Sequence, residues 1–147
     1  MGVRCAWVAA LFGALVCPAL AQDALVPMRA VSDVSSPVLG HVRLVLDDGW
    51  KTYGVEPGPV GVKPSIDVLD SDNLDSLFVS WPADKALASF GQSFRGYDHS
   101  VDIEVHVVPD DPSLPVVLTL GVFAASCAHL CVPMEATLVL DFPAEQG

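Results

Sequence analysis

The chain has 147 residues, with 7 Lys and Arg against 18 Asp and Glu and a formal net charge of −11. No basic patch is available to neutralise phosphates, which argues against nucleic acid as a partner, and the same acidity disfavours adsorption to an anionic membrane surface. The surplus of carboxylates suits a soluble exported protein.

The first residues read as an address. Arg4 is the only charge before Asp23, and "CAWVAALFGALVC" (Cys5 to Cys17) is an unbroken apolar run. Ala19 and Ala21 then supply the small residues of a signal-peptidase site, so residues 1–21 are expected to leave as a secretory signal with cleavage before Gln22. The run is shorter than the about 20 residues of a membrane span, and Leu15-Val16 fit a lipoprotein site poorly. What remains is a single-domain length with chain enough for one core. No later apolar stretch is long enough to cross a membrane, so no insertion is expected after cleavage. Cys5 and Cys17 depart with the signal, leaving Cys127 and Cys131 in an oxidising compartment, where neighbouring thiols tend to pair.

Residues 22–37 read as a polar lead. From there the pattern has period two. Val42, Leu44 and Leu46 alternate with His41, Arg43 and Val45; Ile66 and Val68 with Ser65 and Asp67; Leu77, Val79 and Trp81 with Phe78 and Ser80. In "VDIEVHVV", Val101, Ile103, Val105 and Val107 face one way and Asp102, Glu104 and His106 the other; "PVVLTLGVF" and "ATLVLDF" continue the habit. Such alternation marks strands with one face on a core and one in water. Turn signals separate the runs: Asp48-Gly49, "EPGPVG", "SDN" and "PDDPSLP". Only "ADKALASF" (83–90) offers a short helix. About seven strands without helical crossovers predict an all-β fold, an antiparallel immunoglobulin-like sandwich over residues 38–147.

The chemistry concentrates in "SCAHLC". Four steps of extended strand span about 13.6 Å, whereas disulfide partners need Cα atoms within about 7 Å, so a bonded pair requires the chain between them to turn. One helical turn leaves the Cβ atoms about 5–6 Å apart, wider than the about 3.5–4.5 Å a disulfide prefers. A ring this short is therefore tight. As a staple it contributes about 2 kcal/mol against about 3 for a 15-residue loop, and it joins no distant parts of the chain. Strained, short-ring disulfides are the more easily reduced ones. As a metal clamp, Cys127, His129, Cys131 and Met134 form a soft donor set suited to copper. Binuclear copper domains of this type carry a histidine and a methionine where this chain has Glu135 and Leu138. Staple, copper module and exchanging dithiol all stand at this point. His41, His99 and His106 are scattered and read as solvated, and no G-x-S-x-G, phosphate-binding glycine loop or zinc-spaced histidine pair is present.

"GWKTY", "EPGPVGVKPSID", "VSWPA" and the block from "VDIEVHVV" to "ATLVLDF" together resemble the N-terminal (alpha) domain of DsbD-type thiol:disulfide interchange proteins. The branch with Cys-x3-Cys, which includes the ScsB-like proteins, is the most similar. The likeness covers roughly Val38 to Pro143, and the most specific part is the cysteine block with Pro133 to Ala136. It implies a sandwich carrying a reversible Cys127–Cys131 disulfide at one end, without cofactor, in the periplasm. It also implies protein-disulfide reductase activity, with Cys131 as attacking sulfur and Cys127 as resolver. Electrons would come from a membrane-embedded or thioredoxin-like donor and pass to oxidised periplasmic thiol proteins. Because the chain ends at Gly147, that donor is expected on a separate polypeptide. The family's aromatic cap loop aligns with "QSFRGYDHS", which makes Phe94 and Tyr97 the cap candidates. The family's "TYW" reads Tyr53-Gly54 here, and no carboxylate can be assigned beside the cysteines.

Overall fold

The computed structural model describes residues 26–147, so the expected signal at 1–21 lies outside the described residues. Ten strands follow one another: β1 (Met28–Ser36), β2 (Leu39–Leu46), β3 (Lys51–Tyr53), β4 (Ser65–Asp72), β5 (Leu74–Ser80), β6 (Lys85–Ser89), β7 (Gln92–Tyr97), β8 (Val101–Pro109), β9 (Val116–Cys127) and β10 (Cys131–Phe142). They form two antiparallel sheets, β1-β2-β8-β5 and β10-β9-β3-β7-β6, with β4 pairing the first part of β9. The expected all-β immunoglobulin-like sandwich is the architecture observed.

The alternation of the sequence becomes the two inner faces. Val42 and Leu44 of β2 and Val101, Ile103, Val105 and Val107 of β8 meet Val116, Leu118, Leu120, Val122 and Ala124 of β9, closed by Leu140 and Phe142 of β10. Successive side chains leave a strand on opposite faces, so these runs can pack only as sheet against sheet. Burying each such aliphatic side chain contributes about 1.5–3 kcal/mol. The turn residues do what their chemistry suggests. Asn73 holds φ +61° between β4 and β5, and its side-chain amide donates to the carbonyls of Asp111 and Leu114 while its Oδ1 accepts from the Asp111 amide.

Two stretches differ from expectation. Residues 22–37 contain β1, which pairs antiparallel with β2 from Met28↔Leu46 onward, so the sandwich begins well before Val38. Burial alternates regularly along β1, but Val31 falls on its exposed face and Ser32 on its inner one, so the apolar residues do not follow the alternation and the strand is hidden in the sequence. The stretch 83–90 is not helical: Lys85–Ser89 form β6 and pair with β7 through Ser89↔Gln92. A single isolated helical turn is costly to nucleate. The two-residue loop Phe90-Gly91, with φ of 50° and 72°, has the double positive φ that matches a hairpin's twist.

Candidate functional site

Cys127 ends β9 and Cys131 begins β10. They stand directly opposite in the ladder, with Cα atoms 4.0 Å apart and the sulfurs bonded. The chain therefore turns as a β-hairpin through Ala128, His129 and Leu130, not as a helical turn, and the Ala128 amide donates to the Leu130 carbonyl at 3.0 Å.

Strand parity decides what surrounds the bond. On β9, Ala124 points into the main core, so Ala125 and Cys127 emerge on the two faces' other side, the outside of the second sheet. Lys51 pairs with Cys127 and Thr52 with Ser126, which sends Lys51 and Tyr53 outward as well. Tyr53 in turn pairs with Gly96 of β7, and Phe94 lies two residues before that on the same face. Tyr53, Phe94, Ala125 and Cys127 thus form a second small apolar cluster, with Leu87 of β6 against it. A Cβ at Gly96 would collide with the Thr52 carbonyl, so glycine there is what lets β3 and β7 draw close enough for Tyr53 to meet Phe94. Their rings are 4.9 Å apart, edge to face at 64°.

The two sulfurs are not equivalent. Cys127 is 1% exposed, whereas Cys131 is open to solvent. The Tyr53 hydroxyl lies 3.4 Å from Cys127 Sγ and 4.0 Å from Cys131 Sγ. A bonded sulfur carries no hydrogen, so the hydroxyl is the donor. Beside Cys131 is a cavity of about 240 Å³, lined by Tyr53 and Phe94, by Val60 from the β3–β4 loop, and by Ser89, Phe90 and Gln92 of the β6–β7 hairpin. None of its lining residues is charged, in a chain of net charge −11.

Backbone and side-chain bonds hold this cover in place. The Lys51 ammonium donates to the Ala88 carbonyl at 2.7 Å, tying the hairpin to β3. The Gly54 amide donates to Arg95 O, and the Arg95 amide to Pro57 O, so the loop bearing Val60 is fastened to β7. Arg95 is itself paired with Asp84 at 2.7 Å.

Against this geometry, a family model described as "Thiol:disulfide interchange protein DsbD, N-terminal" matches residues 20–143. The chain belongs to this family. Among solved structures it is similar to the N-terminal periplasmic domain of ScsB from Proteus mirabilis, with 28% identity and a TM-score of 0.58 over 78% of this chain and 45% of that one. The chain thus spans less than half of that relative. The reduced N-terminal domain of Neisseria meningitidis DsbD shares the fold at 16% identity and a TM-score of 0.55, over 80% of this chain and 86% of that one. No curated protein sequence matches the chain.

Of the two cap candidates drawn from the family, the structure brings only Phe94 to the disulfide. Tyr97 follows it by three residues, an odd step, and so faces inward. It is buried in the main core, where its hydroxyl donates to Pro82 O at 2.7 Å. Burial, aided by the Asp84 carboxylate, pushes its pKa above the ordinary tyrosine value. The copper donor set does not assemble either: Met134 sits in the main core on the opposite face of the sheet from the sulfurs, and His129 is exposed at the hairpin tip. His41, His99 and His106 each pair instead with a carboxylate, Asp102, Asp98 and Glu104. Reading the sequence missed Tyr53, Lys51, Val60 and Phe90. The alternation of Lys51 and Tyr53 about Thr52 was visible, but not the strand they would join.

Proposed function

We propose that the chain is a thiol–disulfide interchange module of the periplasm, a protein-disulfide reductase working through a reversible Cys127–Cys131 disulfide. The single observation that carries this reading is the asymmetry of the bond: one sulfur open beside an uncharged cavity, the other sealed under two aromatic rings. A staple joining neighbouring strands across a three-residue turn adds little to a sandwich that already has a full core. A bond with one attackable sulfur is what exchange requires, because the incoming thiolate must approach one sulfur while the other leaves.

In this mechanism a thiolate of a thioredoxin-like or membrane-embedded donor attacks Cys131 Sγ. The S–S bond breaks, Cys127 leaves as thiolate, and a second donor thiolate releases reduced Cys131. The reduced pair then passes two electrons on: Cys131 attacks an oxidised client's disulfide, and Cys127 resolves the mixed disulfide. Exchange of this kind needs no cofactor. The donor and the oxidised clients are part of the proposal, as is the periplasmic setting, which the likeness to a periplasmic ScsB domain supports. Equilibration in glutathione buffers tests it. A potential of about −270 to −120 mV is expected, and one below about −300 mV would mark a structural bond and reject the reading.

A further inference from the structure

Exchange puts a negative charge on Cys127 Sγ, in a residue only 1% exposed to solvent. Burial in apolar surroundings raises a thiol's pKa and so suppresses its thiolate. Most of what faces Cys127 makes this worse: Ala125 on its own strand, Phe94 on β7 and Leu87 on β6 are all apolar. On β3 the Lys51 ammonium is directed to the Ala88 carbonyl. On the hairpin His129 is exposed at the tip. What remains is the Tyr53 hydroxyl, 3.4 Å from Cys127 Sγ and 4.0 Å from Cys131 Sγ. Among the described residues that hydroxyl has no oxygen acceptor, unlike Tyr97, whose hydroxyl is taken by Pro82 O.

We propose that Tyr53 is a catalytic residue that donates its hydroxyl hydrogen bond to the Cys127 thiolate, a role that rests on the exchange reading above. When a donor thiolate attacks Cys131 Sγ, the S–S electron pair departs on Cys127 Sγ and the Tyr53 O–H meets it; no proton need be transferred. In the onward step the same bond keeps Cys127 ionised, so that its thiolate attacks Cys131 Sγ of the client mixed disulfide. The Cys127–Cys131 bond re-forms and the client sulfur leaves as thiolate. Edge-to-face packing on Phe94 aims the phenol. A hydrogen bond to the charged form lowers a pKa, and one bond to an ion changes it by about one unit or more.

The test is the titration of Cys127 in a Cys131→Ser background, followed by thiolate ultraviolet absorbance. Tyr53→Phe keeps the ring and its packing on Phe94 and is expected to raise the Cys127 pKa by about one unit or more. In the two-cysteine protein the same change slows reduction by dithiothreitol several-fold. Replacement of tyrosine by 3-fluorotyrosine, a stronger donor of nearly the same shape, lowers the Cys127 pKa. A Cys127 titration that neither replacement moves overturns the proposal. A failure of the exchange reading would appear separately, as a wild-type potential in the structural range, and leaves the Cys127 titration free to decide the role of Tyr53.

Discussion

The Lys51 ammonium on β3 donates to the Ala88 carbonyl on β6 at 2.7 Å, so the residue paired with Cys127 also holds down the hairpin that lines the cavity beside Cys131. Removing the donor is expected to loosen the cover without disturbing the core. Lys51→Met should speed reduction of the oxidised protein by a small dithiol up to about fivefold, since an exposed bond of this kind is worth about 1 kcal/mol at most. Stopped-flow kinetics checks it, and an unchanged rate would show that the hairpin stays closed without Lys51.

The unequal exposure of the sulfurs predicts unequal single-cysteine variants. Cys127→Ser leaves the open Cys131, which should be alkylated readily by iodoacetamide and trap partners as mixed disulfides. Cys131→Ser leaves Cys127, 1% exposed, and alkylation should be about tenfold slower or more, since access as well as ionisation sets thiol reactivity. Equal rates would contradict the buried placement of Cys127.

Phe90 is 62% exposed and holds φ +50°. A bulky residue there costs about 1–2 kcal/mol relative to glycine, yet its ring lines the cavity beside Cys131. Phe90→Gly should therefore stabilise the fold by about 1 kcal/mol while making the disulfide more accessible to small thiols. Urea unfolding and reduction kinetics, measured on one sample, should move in these opposite senses.

Tyr97 separates core from site by pH. Its folded pKa is raised, chiefly by burial and then by Asp84, so the neutral phenol is favoured in the native state. That contribution is fully present below the unfolded value of about 10 and is lost as pH rises through the folded value. Stability should fall on that alkaline limb, and Tyr97→Phe should flatten it. The same variant loses the bond to Pro82 O, about 1 kcal/mol, with the disulfide's reduction rate unchanged. Phe94→Ala, by contrast, should lower stability by about 3 kcal/mol and accelerate reduction.

Much of the sandwich was legible because alternation is a local property. Val101, Ile103, Val105 and Val107 had to share a face whatever they packed against, and all four are buried. β1 was not legible, because Ser32 and the exposed Val31 blur its period, and it takes its place by pairing with β2. The stretch 83–90 was ambiguous for a related reason: Ala86, Leu87 and Ala88 favour a helix locally, and the backbone of β7 overrides that preference.

The candidate site divides in the same way. By itself the sequence determined that Cys127 and Cys131 close a tight ring only if the chain turns between them, since spacing and backbone reach are covalent facts. It also carried the family's block around them. Only the tertiary structure decided that the ring closes as a hairpin, that it lies on the outer face of its sheet, and that Phe94 covers it while Tyr97 cannot. The pairing of Lys51 with Cys127 brings together Tyr53 and Cys127, 74 residues apart in the chain. No local pattern encodes that register, because it is set by which two strands the common core forces side by side.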